Sequence, residues 1–322
     1  MSVTKIRVGD VELTRVGYAE IGVEPAAVGL TPEQVASVSW AGPPWTDGPQ
    51  VRAAAAAWVI SSGDATIVVD PAQAVDAILR SETDAAAHQE AFAQQLAAAG
   101  FPRERVTHAI ATHLDGIGMF AWRNDDGSWV PFFPNAPILM SQRELERVDT
   151  LRPPAPGTEA LAALRALGAV QVVTGAVERI TEHVTIEFTG GHSTGHQIVR
   201  VESKSDRAVM LGHLAVSPFH VAMEQCPAFH EEPGPARSWL ESLRSEGSVL
   251  VGPLWPEPGA GRWDSGRLVP AGRPDGPPAR PRPTTEERIS GVRTVQQRLR
   301  AAAIRRRRAP AHHGRGRDRA GR

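Results

Sequence analysis

Short apolar segments alternate with amphipathic ones along the first 272 residues of the chain. Alternating or continuous apolar runs predict strands at residues 5–16, 55–71, 105–112, 169–175, 183–191, 196–203, 207–213 and 248–255. Apolar residues at helical spacing predict helices at residues 81–100, 141–148, 157–167 and 232–247. Ser141 and Thr158 are the expected N-caps of two of these helices. Strands and helices in this mixture indicate an α/β layered sandwich.

The character of the chain changes at residue 273. Residues 273–322 contain 15 Arg and four acidic residues, whereas the whole chain of 322 residues has a formal net charge of −1. The preceding body is therefore acidic, and the tail is basic and rich in Pro and Gly. Such a tail cannot bury enough apolar surface to offset the entropy cost of ordering it. We predict a folded domain over residues 1–272 and a mostly disordered tail over residues 273–322.

Composition excludes several classes of protein. A hydrophobic fraction of 41% and a charged fraction of 22% are ordinary for a globular protein. No apolar run approaches the roughly 20 residues that span a bilayer, and the first residues lack the layout of a secretory signal. Cys226 is the only cysteine, so an internal disulfide is excluded. We expect a cytoplasmic protein with no membrane partner.

Three loops carry histidine directly after predicted strands. Their side chains are His113 and Asp115 in the first loop, His192 and His196 in the second, and His213 and His220 in the third. Polar ligands in glycine-rich loops at strand ends are a common way to assemble a metal site from distant parts of a sequence. We therefore expect the three loops to converge.

The order of the motifs resembles the metallo-β-lactamase superfamily, in particular its N-acyl-homoserine lactonases and methyl-parathion-type hydrolases. The resemblance spans residues 3–270 and rests on "TIVVDP", "THLDGIG", "DDGSWVPFFPNAPILMSQRE", "GGHSTGH", "LGHLAVSP" and "LWPEPGAGR". It implies a four-layer αβ/βα sandwich with two mixed sheets inside, helices outside and an active site at one edge of the sheets.

The chain departs from the ligand pattern of that superfamily. The first loop of the family reads T-H-x-H-x-D-H-x-G, whereas this chain reads "THLDGIG". Either two residues are deleted and His113 is the first ligand, or Ala111 stands at the first position and His113 at the second. In both registers Gly116 replaces the last histidine of the loop. The resemblance also places His213 where a carboxylate bridges two metals and Leu254 where a final histidine binds.

These losses leave donors for one metal or for none, and not for the usual two. His113, His192 and His213 could hold a single Zn, Fe or Mn ion with an open water position. Asp115, freed from ligation, could then act as a general base on that water. Alternatively, His113, Asp115, His192 and His213 form an acid–base set without a metal.

Aromatic residues and the remaining imidazoles suggest a pocket for an apolar molecule. In relatives, the segments bearing Trp40, Trp45 and Trp122 lie near the mouth of the pocket, although core packing is the competing explanation. The predicted substrate-pocket residues are Trp40, Trp45, Trp122, His196, His220 and Trp255.

We therefore predict an enzyme that acts on a hydrophobic ester, lactone or related carbonyl compound in bacterial specialised metabolism. Two alternatives stay open: a metal-free, non-hydrolytic enzyme such as a cyclase or dehydratase, and a non-catalytic binding protein on the same fold. The expected partner is a small hydrophobic molecule. No nucleic-acid partner is predicted, because the basic tail has no aromatic residues and no folded basic motif. A homodimer also stays open.

Overall fold

The computed structural model describes residues 3–71, 85–115, 117–152, 157–223 and 230–274. Eighteen strands lie in these residues, and they are β1 Val3–Val8, β2 Val11–Val23, β3 Thr46–Asp47, β4 Gln50–Ser62, β5 Ala65–Val69, β6 His108–Ile110, β7 Ala121–Arg123, β8 Trp129–Pro131, β9 Ile138–Ser141, β10 Val170–Val173, β11 Val177–Arg179, β12 Val184–Phe188, β13 Gln197–Ser203, β14 Asp206–Met210, β15 Val249–Val251, β16 Ala260–Asp264, β17 Arg267–Pro270 and β18 Arg273–Pro274. Six α-helices lie in the same residues, and they are α1 Pro32–Ala36, α2 Ala85–Ala98, α3 Gln142–Thr150, α4 Thr158–Ala166, α5 Pro218–Met223 and α6 Pro233–Ser245.

Two mixed sheets contain most of the strands. The first sheet has the order β10-β9-β6-β5-β4-β2-β1-β18, with β3 paired to β4. Its strands β5, β6, β9 and β10 are parallel to one another, and its other pairs are antiparallel. The second sheet runs from β11 to β17 in chain order, with β14 and β15 as its parallel pair. Strands β7 and β8 form a small antiparallel pair.

The two large sheets pack face to face, and helices cover their outer faces. Adjacent residues of a strand point to opposite faces, so Ile60 of β4 packs between the sheets, whereas Val59 packs towards Phe92 of α2. In the second sheet, Val199 of β13 joins the cluster between the sheets, whereas its neighbour Ile198 joins the cluster that contains α5 and α6. This arrangement confirms the predicted four-layer αβ/βα sandwich.

The strand directions bring two of the predicted loops together. The parallel strands β5 and β6 end at the same edge of the first sheet, where Asp70 and the loop that begins at Ala111 follow them. In the second sheet, the turn between β12 and β13 carries His192. Its backbone reaches the first loop, because Gln197 N–H donates to Thr112 O at 2.9 Å.

Several sequence predictions differ from the structure. Thr158 was expected to cap α4, but the helix begins at Thr158 and its N-cap is Gly157, whose φ of 78° suits glycine. Ser141 occupies the N-cap position of α3 but makes no capping hydrogen bond through its side chain. Strand β2 extends to Val23, well beyond the predicted end at residue 16, because it pairs with β4 along its length.

Some predictions fall mostly or entirely on parts of the chain that the structure does not describe. Apart from Arg273 and Pro274, which form β18, the predicted tail over residues 273–322 lies outside the described residues and stays a prediction. Residues 81–84 of the helix predicted over residues 81–100 also lie outside them, as does Cys226. None of the helices in the described ranges has the length and apolar character of a membrane span.

Candidate metal centre

Asp70 and Thr112 anchor the first histidine loop to the sheet. Asp70 follows β5 with a left-handed φ of 44°, and its carboxylate accepts two hydrogen bonds from Thr112. The Thr112 N–H donates to Oδ1 at 2.9 Å, and the Thr112 hydroxyl donates to Oδ2 at 2.6 Å. Burial raises the pKa of Asp70 to about 6, against the effect of these hydrogen bonds. The carboxylate therefore fixes the residue that directly precedes His113.

This anchor also determines the tautomer of His113. Its Nδ1 lies 2.9 Å from the Thr112 hydroxyl oxygen. When Asp70 is ionised, the hydroxyl proton points to Asp70, so the hydroxyl oxygen accepts from Nδ1–H of His113. Burial holds the pKa of His113 well below its ordinary value, and nearby His213 acts in the same direction. The neutral ring then carries its lone pair on Nε2, which faces Asp115.

Three imidazoles surround one oxygen of Asp115. Its Oδ2 lies 3.0 Å from His192 Nε2, 3.2 Å from His213 Nδ1 and 3.6 Å from His113 Nε2. The His113 and His213 rings are also close, with centroids 3.9 Å apart. The structure thus brings together the four residues that the sequence predicts for the site. Among the described residues, they are the one group of three or more His, Cys, Asp or Glu whose ligand atoms lie within 4.8 Å of one another.

The cluster is buried on its imidazole side and open on its carboxylate side. The side chains of His113 and His192 are 1% and 3% exposed, whereas that of Asp115 is 42% exposed. Burial alone would raise the pKa of the Asp115 carboxyl, but hydrogen bonds from His192 and His213 and the neighbouring rings lower it well below its usual range. The Asp115 carboxylate is therefore ionised and is the part of the cluster that solvent can reach.

His196 lies behind the cluster. It is fully buried, its Nδ1 lies 2.7 Å from the Thr189 hydroxyl, and its ring is 5.8 Å from that of His113. Its Nε2 faces Gly212, where a Cβ would come within 2.5 Å of this nitrogen. Gly212 has a φ of 52°, so the position requires glycine both for its backbone and for the close approach of His196. No direct contact between His196 and Asp115 is present in the described structure.

His220 and two of the predicted pocket tryptophans belong to the core beside α5 and α6. The Ser217 N–H donates to His220 Nδ1 at 3.1 Å, and burial lowers the pKa of His220 to about 4. Trp45 and Trp255 pack edge to face with ring centroids 6.1 Å apart. Trp255 is fully buried, and its Nε1–H donates to Ala215 O at 2.8 Å. Packing accounts for these contacts, and a role at a substrate pocket stays a prediction.

The other two predicted pocket tryptophans are half-buried. Trp40 stacks on Phe219 at 5.4 Å with an angle of 18° between the rings. Trp122 of β7 packs against the core beside α2, and the Arg103 guanidinium lies 4.4 Å above its ring. Trp40 and Trp122 therefore lie in two different core regions, and their role at a pocket also stays a prediction.

Four residues around the cluster were not among the predicted site residues. His230 lies with its ring 5.0 Å from that of His192 and its Nε2 2.9 Å from His213 O. The other three are Glu144, Arg147 and Glu231, and Arg147 forms an ion pair with each of the two glutamates. One sequence signal was available, because Glu144 shares the buried face of α3 with Leu145 and Val148. A carboxylate on an apolar helix face is a reason to look for a buried partner.

Solved structures resemble the chain only in fold, since their sequences are distant. One is a hydrolase of the beta lactamase superfamily, with 17% identity, a TM-score of 0.62, and coverage of 84% of this chain and 97% of that one. Another is a dizinc quorum-quenching lactonase in complex with its product, with 15% identity, a TM-score of 0.61, and coverage of 85% and 98%. A third is a probable metal-dependent hydrolase from Staphylococcus aureus, with 15% identity, a TM-score of 0.58, and coverage of 83% and 98%.

No protein-family model matches the chain, and no curated protein matches it either. The sandwich, its strand order and these structural likenesses agree, and together they show that the chain has the metallo-β-lactamase fold.

Proposed function

We propose that this chain hydrolyses a hydrophobic ester or lactone with the help of one divalent metal ion held by His113, His192 and His213. The observation that carries the proposal is the position of Asp115 Oδ2, which three imidazole nitrogens approach to within 3.0–3.6 Å. Structural neighbours on this fold are hydrolases and lactonases, and this likeness supports the class of reaction.

The donor set suits a metal chemically. Neutral imidazole nitrogens are suitable ligands for zinc, iron or manganese. The lone pair on His113 Nε2 faces a carboxylate oxygen at 3.6 Å, so two hydrogen-bond acceptors face each other across the centre of the cluster. A cation between them would turn this repulsion into two attractions. The buried imidazole side would also keep competing water away from the ligand atoms.

The donor count supports one ion rather than two. The resemblance would place further ligands at Ala111 or at Leu254, and neither side chain has a donor atom. Ala111 is buried, and the Leu254 side chain packs against the core beside α6. His213 stands where a bridging carboxylate would be expected, and its Nδ1 faces the same Asp115 oxygen as His192 does. The three imidazole donors thus converge on a single point beside Asp115 Oδ2.

The reaction assigns a separate task to each group of the chain. His113, His192 and His213 would hold the divalent ion, which would supply Lewis-acid activation of a water molecule and of the substrate carbonyl. Asp115, the exposed member of the cluster, accepts a proton as the water oxygen attacks the carbonyl carbon. The bond between that carbon and the leaving oxygen then breaks, and the proton passes to the leaving alkoxide. The buried imidazole of His113 keeps its orientation because the Thr112 hydroxyl holds its Nδ1.

A second candidate is an acid–base enzyme without a metal, and one observation favours it. Asp115 Oδ2 accepts hydrogen bonds from two imidazoles, at 3.0 Å from His192 Nε2 and 3.2 Å from His213 Nδ1. These hydrogen bonds occupy the Asp115 oxygen that faces the imidazoles. A metal-free enzyme would therefore need an imidazole as its base, and it could catalyse a cyclisation or dehydration.

Metal analysis decides between the two candidates. The full chain is purified without added metal, its bound metal is measured, and turnover of 4-nitrophenyl esters and of N-hexanoyl-homoserine lactone is followed. We expect about one equivalent of metal per chain, loss of turnover on chelation, and loss of both metal and turnover in His192→Ala. His183→Ala, a histidine remote from the cluster with its Nδ1 near Glu202 O, is the matched control.

Other results would contradict the proposal in distinguishable ways. Two equivalents of metal would refute the single-ion site. No metal with retained turnover would establish the metal-free enzyme. A third outcome would favour a non-catalytic binding protein. In that case the chain would contain no metal and turn over none of the substrates, and His113→Ala and His192→Ala would be indistinguishable from the unaltered chain.

A further inference from the structure

A buried carboxylate on α3 connects two of the histidine loops. Glu144 is 1% exposed. Its Oε1 accepts a hydrogen bond from Leu114 N–H at 2.8 Å in the first loop, and its Oε2 accepts from the Ser193 hydroxyl at 2.6 Å in the second. Leu114 lies between His113 and Asp115, and Ser193 directly follows His192. One side chain thus contacts the immediate neighbours of three of the four clustered residues.

Arg147 completes this connection from the next turn of the helix. Its Nη1 lies 2.9 Å from Glu144 Oε1 and 3.4 Å from Leu114 O. Glu144 and Arg147 together therefore bind the backbone N–H and the backbone carbonyl of Leu114. Its Nε donates to Glu231 Oε1 at 2.6 Å. Its Nη2 is 3.7 Å from Asp115 Oδ1, the oxygen that does not face the imidazoles.

Glu231 extends the network to the far side of the second loop. Its Oε2 accepts from Thr194 N–H at 3.3 Å, and its own N–H donates to His192 O at 2.9 Å. The second loop is therefore held at Ser193 by Glu144, and at His192 O and Thr194 N–H by Glu231. The three charged residues have hydrogen-bond partners in both loops.

A carboxylate at this position is costly, which argues that more than packing retains it. Burial raises the pKa of Glu144, while the hydrogen bond from Ser193 and the charge of Arg147 act against that rise. An apolar residue of similar volume would fill the space without the cost of desolvating a charge. An apolar side chain, however, could not bind Leu114 N–H and the Ser193 hydroxyl at once.

We propose that Glu144 and Arg147 are positioning residues that set the distance between His192 and the pair His113 and Asp115, and thereby the affinity for the metal ion. This inference rests on the proposed function. Partners of this kind behind metal ligands orient the ligands, and their loss typically weakens metal binding about 10- to 100-fold. Neither side chain is among the proposed ligands, and Arg147 reaches only the Asp115 oxygen that does not face the imidazoles.

Cobalt binding tests the proposal, because the absorption spectrum of Co²⁺ reports the geometry of its ligands. Purified full chain is titrated with Co²⁺ after chelation. Glu144→Gln keeps the size of the side chain but replaces one acceptor oxygen by a donor, and we expect about 10- to 100-fold weaker binding with an altered visible spectrum. Glu146→Gln is the matched control on the same helix, where the exposed carboxylate accepts from Gln142 at 2.7 Å; its affinity and spectrum should not change.

A second variant guards against failure of the first to fold. Ser193→Ala removes only the hydrogen bond to Glu144 Oε2, and we expect about tenfold weaker cobalt binding with the fold retained. Unchanged affinity and an unchanged spectrum in Glu144→Gln would overturn the proposal. If Glu144→Gln does not fold, the same result in Ser193→Ala would overturn it.

Hydrogen exchange separates this inference from the proposed function. If the unaltered chain binds no Co²⁺, the single-ion hydrolase is refuted, and the positioning role is then decided by amide exchange in the metal-free protein. We expect the Leu114 amide to exchange about tenfold faster or more in Glu144→Gln, while the amide of Leu139 in β9 keeps its rate. Equal exchange at Leu114 in both proteins would overturn the inference.

Discussion

Replacing Gly195 by alanine perturbs the contact between the second histidine loop and α3. A Cβ built at Gly195 would lie 2.5 Å from Glu144 Cβ, and closer still to the backbone N and Cα of Glu144. The φ of Gly195 is not left-handed, so the expected effect comes from the lack of space and not from backbone strain. Ordinary contacts begin at 3.4 Å, so the loop and the helix must separate by roughly 1 Å.

The magnitude follows from what the separation disrupts. Overpacking of a tight contact costs about 1–3 kcal/mol. The atoms that must yield are mainly backbone atoms in the first turn of α3, which have less freedom than the end of a side chain. A shift of this size would also stretch the hydrogen bond of 2.6 Å from Ser193 to Glu144, and weakening a bond to a charged group adds about 1–2 kcal/mol. We expect Gly195→Ala to lower the free energy of unfolding by about 2–5 kcal/mol.

Urea denaturation measures this loss, and Gly42→Ala is the matched control. A Cβ at Gly42 would meet no atom within 4 Å, and the backbone there is not left-handed. We expect Gly42→Ala to stay within about 0.5 kcal/mol of the unaltered chain. If Gly195→Ala unfolds at the same urea concentration as Gly42→Ala, the reasoning about the close contact is refuted.

Three further predictions concern the core and its buried polar groups. Burial raises the pKa of Asp70 to about 6, so the contribution of this carboxyl to the free energy of unfolding falls by about 3 kcal/mol as the pH rises from about 4 to about 6. Asp70→Asn should remove that pH dependence in denaturation profiles. Parallel profiles of the variant and the unaltered chain would contradict the assigned pKa. Phe92→Ala, at a fully buried position, should lower the free energy of unfolding by about 3–5 kcal/mol. Leu167→Ala, at a side chain that is 58% exposed, should lower it by less than about 0.5 kcal/mol. Equal denaturation midpoints of the two variants would refute the assignment of Phe92 to the core. Trp255→Phe leaves the carbonyl of Ala215 without its Nε1–H donor and should cost about 1–3 kcal/mol in thermal or urea unfolding; no change would mean that water replaces the donor.

The strands show both the reach of sequence patterns and their limit. Val11–Val16 and Val59–Val69 contain β-branched residues in runs that predict strands, and they lie in β2, β4 and β5. The segment Ala53–Ala57 also lies in β4, although alanine favours helices over strands. Its pairing with residues 16–21 of β2 holds it in the sheet. That pairing joins parts of the chain more than 30 residues apart, and no local pattern contains it.

The site was predictable where it depends on residue type and loop position. His113, Asp115, His192 and His213 follow predicted strands, and they do form one cluster. The network of Glu144, Arg147 and Glu231 was not predicted, because its members come from α3 and from a segment more than 80 residues later. His230 was also not predicted, because its ring lies 5.0 Å from that of His192 only in the folded chain, where two segments distant in sequence come together.

The sequence alone therefore determined which His and Asp side chains lie in the loops that follow predicted strands. It also determined the layered α/β class, because periodicity and strand-end position are local properties of the chain. The tertiary structure alone decided that three imidazoles share a single carboxylate oxygen, that His196 and His220 lie outside this cluster, and that a buried ion pair spans the two loops. These arrangements depend on distances between segments far apart in the chain, and only the packing of the two sheets and their helices sets those distances.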